Sequence, residues 1–328
     1  MWGLADAHLK TDNSSLNITG RAKFTASHTD SGGLPGFSSR LGANGQVQNN
    51  DGVSAFFNVG WEMQSTRDTI SSNVKGGADN IKSRYIFVGL GSKTLGKITL
   101  GQNDTPFYTM VTSTTDIPYY NSMEASANTY GYDFAPNLAL YSNKFGKLSV
   151  EASYQFKTVE GGSSNNGDVL DYYDAGLTSA NFKTQNNAYS AGAIYSLNDH
   201  LNVHAGYAYQ TFMNDATKAD YGFALDYTIN NLYLGAVYTY SKEDDGTNSA
   251  NHKGAEVTAS YSMNQYTFDT SYAYGKQKSD ISGQDKTYAK AINVDVVYAV
   301  FSNVNAAVGI SHVTTGKNEY YTSLNYSF

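Results

Sequence analysis

Phe268-Asp-Thr-Ser-Tyr-Ala-Tyr-Gly275 sets Phe268, Thr270, Tyr272 and Tyr274 on one side of an extended chain and Asp269, Ser271, Ala273 and Gly275 on the other. A period of two marks a strand with unlike faces, because successive side chains leave opposite sides of the backbone. The rhythm recurs upstream, where Leu232, Leu234, Ala236, Tyr238 and Tyr240 alternate with Tyr233, Gly235, Val237 and Thr239. It recurs at the end, where Thr322, Leu324, Tyr326 and Phe328 alternate with Ser323, Asn325 and Ser327. Spacing suited to an amphipathic helix is scarce; only residues 105–123 could hold a short one. A membrane helix needs about 20 mostly apolar residues, and the longest apolar runs here are 85–88 and 296–301.

Extended outward, the pattern gives sixteen segments: 14–28, 38–49, 53–64, 83–91, 96–104, 134–143, 147–157, 187–196, 201–212, 219–228, 232–242, 254–263, 266–276, 287–299, 303–313 and 319–328. The connections are uneven. Asn230-Asn231, 197–200, 263–265, Ser302-Asn303 and Gly146-Lys147 read as tight turns, whereas 65–80, 159–187, 244–253 and 277–286 read as long polar loops. Short turns at one end and long loops at the other belong to outer-membrane barrels. An open sheet of this size would leave two rows of unpaired backbone groups, costing several kcal/mol per group in lipid, and closure removes both. Side chains cannot fill so wide a cylinder, so its lumen holds water. The expectation is an all-β, 16-stranded antiparallel transmembrane barrel forming one domain over 1–328.

Composition agrees. Of 328 residues only 16% are charged, while tyrosine supplies 28 and phenylalanine 15. Tyr and Phe fall near segment ends (Phe145, Phe156, Tyr195, Tyr261, Tyr266, Phe301 and Phe328 among them), where girdles at the two membrane–water interfaces would place them. A mean hydropathy of −0.44 suits alternation between lipid and a wet lumen. With no cysteine there is no disulfide framework and no thiolate metal site. A net charge of −7 argues against nucleic acid as a partner. The opening Met1-Trp2-Gly3 carries no leader pattern, so no signal peptide is expected here.

Three signals resemble chemistry. Gly91-Ser-Lys-Thr-Leu-Gly-Lys97-Ile98 approaches a phosphate-binding loop, but Ile98 stands where a hydroxyl is required, and a hairpin turn reads better. His200 and His204 are spaced to converge on a helix, not on a strand, so no metal is expected. Glu243-Asp244-Asp245-Gly246 lacks the ligand alternation of a calcium loop and reads as a solvated tip. No cofactor or catalytic set is expected.

Residues 104–133 form a long aromatic, hydroxyl-rich insertion with two of the four prolines, Pro106 and Pro118. It either folds into the lumen, bringing Asp104, Asp116 and Glu124 to a narrowing, or serves as an external loop or subunit contact.

Several patterns in order along the chain resemble the general trimeric porins of Gram-negative outer membranes, nearest the Vibrio-type branch. They are Ile18-Thr-Gly-Arg21, Ser39-Arg40-Leu-Gly-Ala-Asn-Gly45, Lys82-Ser-Arg84-Tyr-Ile-Phe-Val-Gly-Leu90, Gly96-Lys-Ile-Thr-Leu-Gly-Gln102, Thr114-Thr-Asp116-Ile117, Asp226-Tyr-Thr-Ile-Asn-Asn-Leu-Tyr-Leu-Gly235 and Leu324-Asn-Tyr326-Ser-Phe328. The resemblance implies passive diffusion of small hydrophilic solutes and ions through a homotrimer in contact with outer-membrane lipid and lipopolysaccharide. It implies a third loop folded into each pore and a basic wall of Arg21, Arg40, Lys82 and Arg84 facing Asp116. Glu124 and Asp104 are the further candidate acids. Leu324, Tyr326 and Phe328 match the terminal signal read by the outer-membrane assembly machinery. A Pro-Glu-Phe-Gly-Gly stretch of the enterobacterial branch is missing, and Phe134 stands where relatives often carry another arginine. The alternatives are a substrate-specific channel and, further off, a barrel hydrolase or an adhesin.

Overall fold

The computed structural model describes residues 8–29, 32–66, 81–119, 122–126, 129–130, 134–157, 177, 182, 185–212, 215–313 and 318–328. The strands, in order, are β1 (His8–Lys10), β2 (Ser14–Thr29), β3 (Gly32–Gln48), β4 (Val53–Thr66), β5 (Ile81–Ser92), β6 (Gly96–Asn103), β7 (Ala135–Phe145), β8 (Leu148–Gln155) and β9 (Gln185–Ser196). They continue with β10 (Leu201–Phe212), β11 (Thr217–Ile229), β12 (Leu232–Asp244), β13 (Ser249–Met263), β14 (Tyr266–Ser279), β15 (Lys286–Phe301), β16 (Val304–Val313) and β17 (Asn318–Ser327). Each strand from β2 to β16 pairs antiparallel with the next, and β17 pairs with β2, so sixteen strands close into a ring.

The three-residue β1 falls outside the sixteen expected segments. It runs along β2 with His8 opposite Asn17 and Lys10 opposite Ser15, continuing the row that β17 leaves when Phe328 exchanges two backbone hydrogen bonds with Gly20. The strands β1 and β17 thus share one edge of β2.

The faces are those of a barrel in lipid. Val88, Leu90, Ile98, Leu100, Phe223, Leu225 and Val257 are exposed on the outside, whereas Gln155, Ser190, Asp220, Glu256 and Asn293 are buried within. This inverts a water-soluble protein, in which exposed apolar patches are small. Phe145, Tyr195, Tyr261, Tyr266, Phe301 and Phe328 stand exposed beside the short turns. Tyr207, Tyr221 and Tyr240 lie directly opposite one another at the other height, their rings 4.9 and 6.1 Å apart. Both girdles are present.

Two expected loops are shorter than the composition suggested. Pairing runs as far as Asp244 opposite Ser249, leaving only residues 245–248 as a turn. Glu243 is not a solvated tip: it is 1% exposed, faces inward and forms an ion pair with Lys218 at 3.2 Å. Asp245 accepts the backbone N–H groups of Thr247 and Asn248 and so closes the turn. Likewise β14 continues to Ser279, and the next connection is 280–285. Polarity misled because the inward face of a porous barrel is itself polar. The expected loops 65–80 and 159–187 fall almost wholly outside the described residues.

Candidate functional site

The register builds the basic wall. Arg21 lies opposite Arg40, Arg40 opposite Glu62, and Glu62 opposite Lys82, one charged row across β2, β3, β4 and β5. Alternation sends Trp61 and Met63 outward and leaves Glu62 buried on the inner face. Glu62 is the wall residue that motif reading missed, although its place between two apolar residues of an alternating strand marked it as inward. It collects three guanidinium groups: Arg84 at 2.7 Å, Arg40 at 2.9 Å and Arg21 at 3.7 Å. Lys82 closes the row at an exposed position and forms no ion pair among the described residues. Phe134 offers its ring to Arg84, whose guanidinium carbon lies 4.3 Å from the ring centre, a cation–π contact. Lys23, two residues beyond Arg21 and on the same face, joins this wall. Its ammonium lies 4.2 Å from the Tyr119 ring centre.

The insertion lies inside the barrel, which decides between the two readings left open above. It opens with a short helix, α1 (Pro106–Met110), capped by the Thr105 hydroxyl, and continues through a 3-10 turn, Thr112–Thr115. Gly192, Gly206 and Gly222 stand side by side on the inner faces of β9, β10 and β11. Added Cβ atoms there would come within 2.5 Å of Met110 and 2.7 Å of Val111. The absence of three side chains makes a smooth track for the helix.

Polar anchors complete the seat. His204 contacts the Met110 carbonyl at 2.7 Å and the Asp226 carboxylate at 2.6 Å. It does not converge with His200, which contacts the Thr228 carbonyl. The two oxygens of Glu256 accept the backbone N–H groups of Met123 and Ala125 at 3.0 and 3.2 Å. They brace a bend in which Met123 holds φ at 61°, a conformation costing an L-residue about 1–2 kcal/mol. Asp220 accepts from the N–H of Tyr130 and Asp295 from that of Tyr119. The loop therefore follows the inner wall from β8 round to β15, and its tip reaches Lys23 on β2.

The acids of the loop are held by hydroxyl groups around them. Asp116 is exposed and accepts from the hydroxyls of Tyr108 and Ser122. Asp104 accepts from the Tyr85 hydroxyl at 2.8 Å. Burial lifts its carboxyl above the usual carboxylate range, against the Tyr85 hydrogen bond and the Arg84 charge, while the charge of Asp116 adds to the rise. Burial lifts Glu124 in the same direction.

The Gram-negative porin family matches residues 2–318. The chain is a member of that family. Outer membrane protein U of Vibrio vulnificus is 32% identical over 252 residues, which cover 76% of this chain and 67% of that protein. Porin-like protein L of Photobacterium profundum is 28% identical over 67% of this chain and 60% of its own length. Among solved structures, Salmonella typhi OmpF in complex with daunomycin superposes with a TM-score of 0.82 at 20% identity, covering 98% of this chain and all of that one. An anion-selective porin from Comamonas acidovorans gives 0.73 at 16% identity over 96% of this chain and 100% of its own. This porin forms a water-filled channel through the Gram-negative outer membrane, and the members of its family are channels rather than enzymes. The segment 91–98 that approached a nucleotide loop is a hairpin turn between β5 and β6, with Gly96 at a φ of 82°. Among the described residues no group of three or more metal-ligating side chains forms.

Proposed function

We propose that the selectivity filter of this porin is the gap between Arg21, Arg40, Lys82 and Arg84 on the wall and Asp116, Glu124 and Asp104 on the inserted loop. It passes small hydrophilic solutes and ions by diffusion, with no catalytic step and a mild preference for cations. The supporting observation is the shared carboxylate of Glu62. One buried acid offsets part of the charge of three arginines, so the wall is less positive than its arginine content suggests. Phe134 supplies an aromatic face in place of a further cation.

Three copies assemble through the outer face of β2–β6. This face carries Leu16, Val47, Ala55, Val88, Leu90 and Ile98 around a shallow apolar depression of about 960 Å³, a smooth surface suited to self-association. OmpT of Vibrio cholerae, structurally similar at a TM-score of 0.73, is known in a trimer form. Leu324 and Phe328 face outward at the barrel seam, where the assembly machinery would read them together with Tyr326.

Reconstitution into a planar bilayer under a salt gradient tests the reading. Conductance steps in groups of three and a reversal potential of cationic sign are expected; steady anion selectivity, or steps that never group, would refute it. A turnover assay on the same preparation separates the channel from a barrel hydrolase.

A further inference from the structure

The inner wall of β4–β6 carries aromatic rings where a water-filled tube calls for polar side chains. Alternation puts Phe56 on the same face as the inward Glu62. It puts Phe87 on the same face as Tyr85, away from the outward Ile86, Val88 and Leu90. With Phe134 at the upper end, the rings form a ladder beside the arginines. The centres of Phe134 and Tyr85 lie 4.7 Å apart and those of Tyr85 and Phe87 6.3 Å, both edge to face. Phe56 follows on the neighbouring strand and lies across Gly89, where an added Cβ would come within 2.5 Å of its ring. All four rings are half-buried. The carboxylates that anchor the inserted loop, Glu151, Glu256 and Asp295, come from β8, β13 and β15, not from this part of the wall. Apolar surface turned toward water is the mark of a binding place.

Each end of the ladder carries a cation. At the top the Arg84 guanidinium carbon lies 4.3 Å from the Phe134 ring centre. At the bottom the Lys97 ammonium lies 5.9 Å from the Phe56 ring centre. Lys97 alternates with the outward Ile98, so it shares the inner face; it is exposed and forms no ion pair among the described residues. The carboxylates near the top are engaged, Glu62 by the arginines and Asp104 by the Tyr85 hydroxyl. From Tyr85 down to Gly91, which lies opposite Lys97, a strand rising about 3.3 Å per residue at a tilt of about 40° descends roughly 15 Å toward the short-turn rim. Beside the rings the wall is glycine: Gly60 lies opposite Tyr85 and Gly89 opposite Phe56. Glycine offers no side-chain donor or acceptor to the hydroxyls of a sugar. Rings between two cations match a flat ring that bears a negative charge.

We propose that this ladder binds monocyclic aromatic carboxylates on their way between the filter and the short-turn mouth. The solute ring lies against Phe87 and Phe56 and its carboxylate reaches Lys97, while Arg84 meets the charge at the upper end. The inference rests on the diffusion channel proposed above and names one class of solute that its wall holds. Each ring contact of this kind is worth roughly two- to tenfold in affinity.

Single-channel recording of the full-length protein in a planar bilayer provides the test, with benzoate, acetate and benzylammonium as probes added to potassium chloride. Benzoate is expected to block the current at about tenfold lower concentration than either of the other two. The double variant F56L/F87L keeps apolar bulk but removes two rings, and should weaken the benzoate block about tenfold. K97Q should weaken it about threefold, and K97R should restore it. The comparison of probes on unaltered protein stands even if a variant fails to fold. Equal block by benzoate and acetate overturns the proposal, because the rings would then add nothing. So does block by benzylammonium at the same concentration as benzoate, because the site would then ignore the sign of the charge. The reversal potential in potassium chloride alone reports the filter, so failure of the filter and failure of the ladder are read separately.

Discussion

Glu62 shows how one carboxylate sets the character of a wall. Its oxygens meet Arg84 and Arg40 at hydrogen-bond distance and Arg21 somewhat further away. Removing the charge leaves three guanidinium groups facing one another across partly dehydrated space. Glu62→Gln should therefore shift the reversal potential toward anions and cost about 1–3 kcal/mol of stability, the usual penalty for breaking a buried charge-assisted hydrogen bond. Thermal unfolding in detergent checks the second figure. Phe134→Arg should move selectivity in the same direction by adding a cation beside Arg84; an unchanged permeability ratio would show that position 134 lies outside the field.

The proposed place of Glu124 in the filter makes selectivity depend on pH. Its carboxyl is raised by burial, so it is charged above its raised pKa and takes up a proton as pH falls, earlier than an ordinary carboxylate would. Cation preference should thus begin to fade at a higher pH than an ordinary glutamate would give. Glu124→Gln should diminish this early phase of a reversal-potential titration and leave the part that the raised Asp104 contributes; a profile identical to that of the unaltered protein would exclude Glu124 from the filter.

At the scale of elements, the inserted loop and the wall behind it act as one part. The helix α1 is too short to be stable alone and holds its place because the glycine row lets it lie against β9–β11. Gly222→Val would set a branched side chain where a Cβ alone already approaches Val111 at 2.7 Å and Phe107 at 2.9 Å. Overpacking of this kind costs about 1–3 kcal/mol. The loop should be pushed into the lumen, and single-channel conductance should fall. An unchanged conductance would mean that the loop finds another seat. The anchors at Glu256, Asp220 and Asp295 come from strands far from the loop in sequence, so no local pattern announced them.

At the scale of the whole molecule, closure and the proposed self-association use different sides of β2. Its contact with β17 closes the ring, and Phe328 lies so close over Gly20 that a Cβ there would come within 2.1 Å of the phenyl ring. The outer face of β2–β6 is left smooth and aliphatic. Val88→Lys, at an exposed position in that face, is expected to yield folded monomers in place of trimers on non-denaturing gels. Trimers that survive would move the interface elsewhere on the barrel.

How far the sequence could be read depends on the range of each signal. The alternation around Phe268–Gly275 is local: neighbouring side chains must point opposite ways, so the strands and their two faces were legible, and the cost of unpaired edges in lipid implied a ring. Arg21, Arg40 and Arg84 could be placed on one wall because consecutive strands are neighbours in the barrel. The limits of β12 and β13 were not legible, since an inward polar residue such as Glu243 looks the same in sequence as a loop residue.

The amino-acid order alone thus determined a wet cylinder with an apolar exterior, because a two-residue period needs no knowledge of distant contacts. Only the tertiary structure decided that the insertion turns inward and that Glu62 sits among the arginines. Those outcomes depend on register and on contacts across the lumen, where residues widely separated along the chain meet once the sheet has closed.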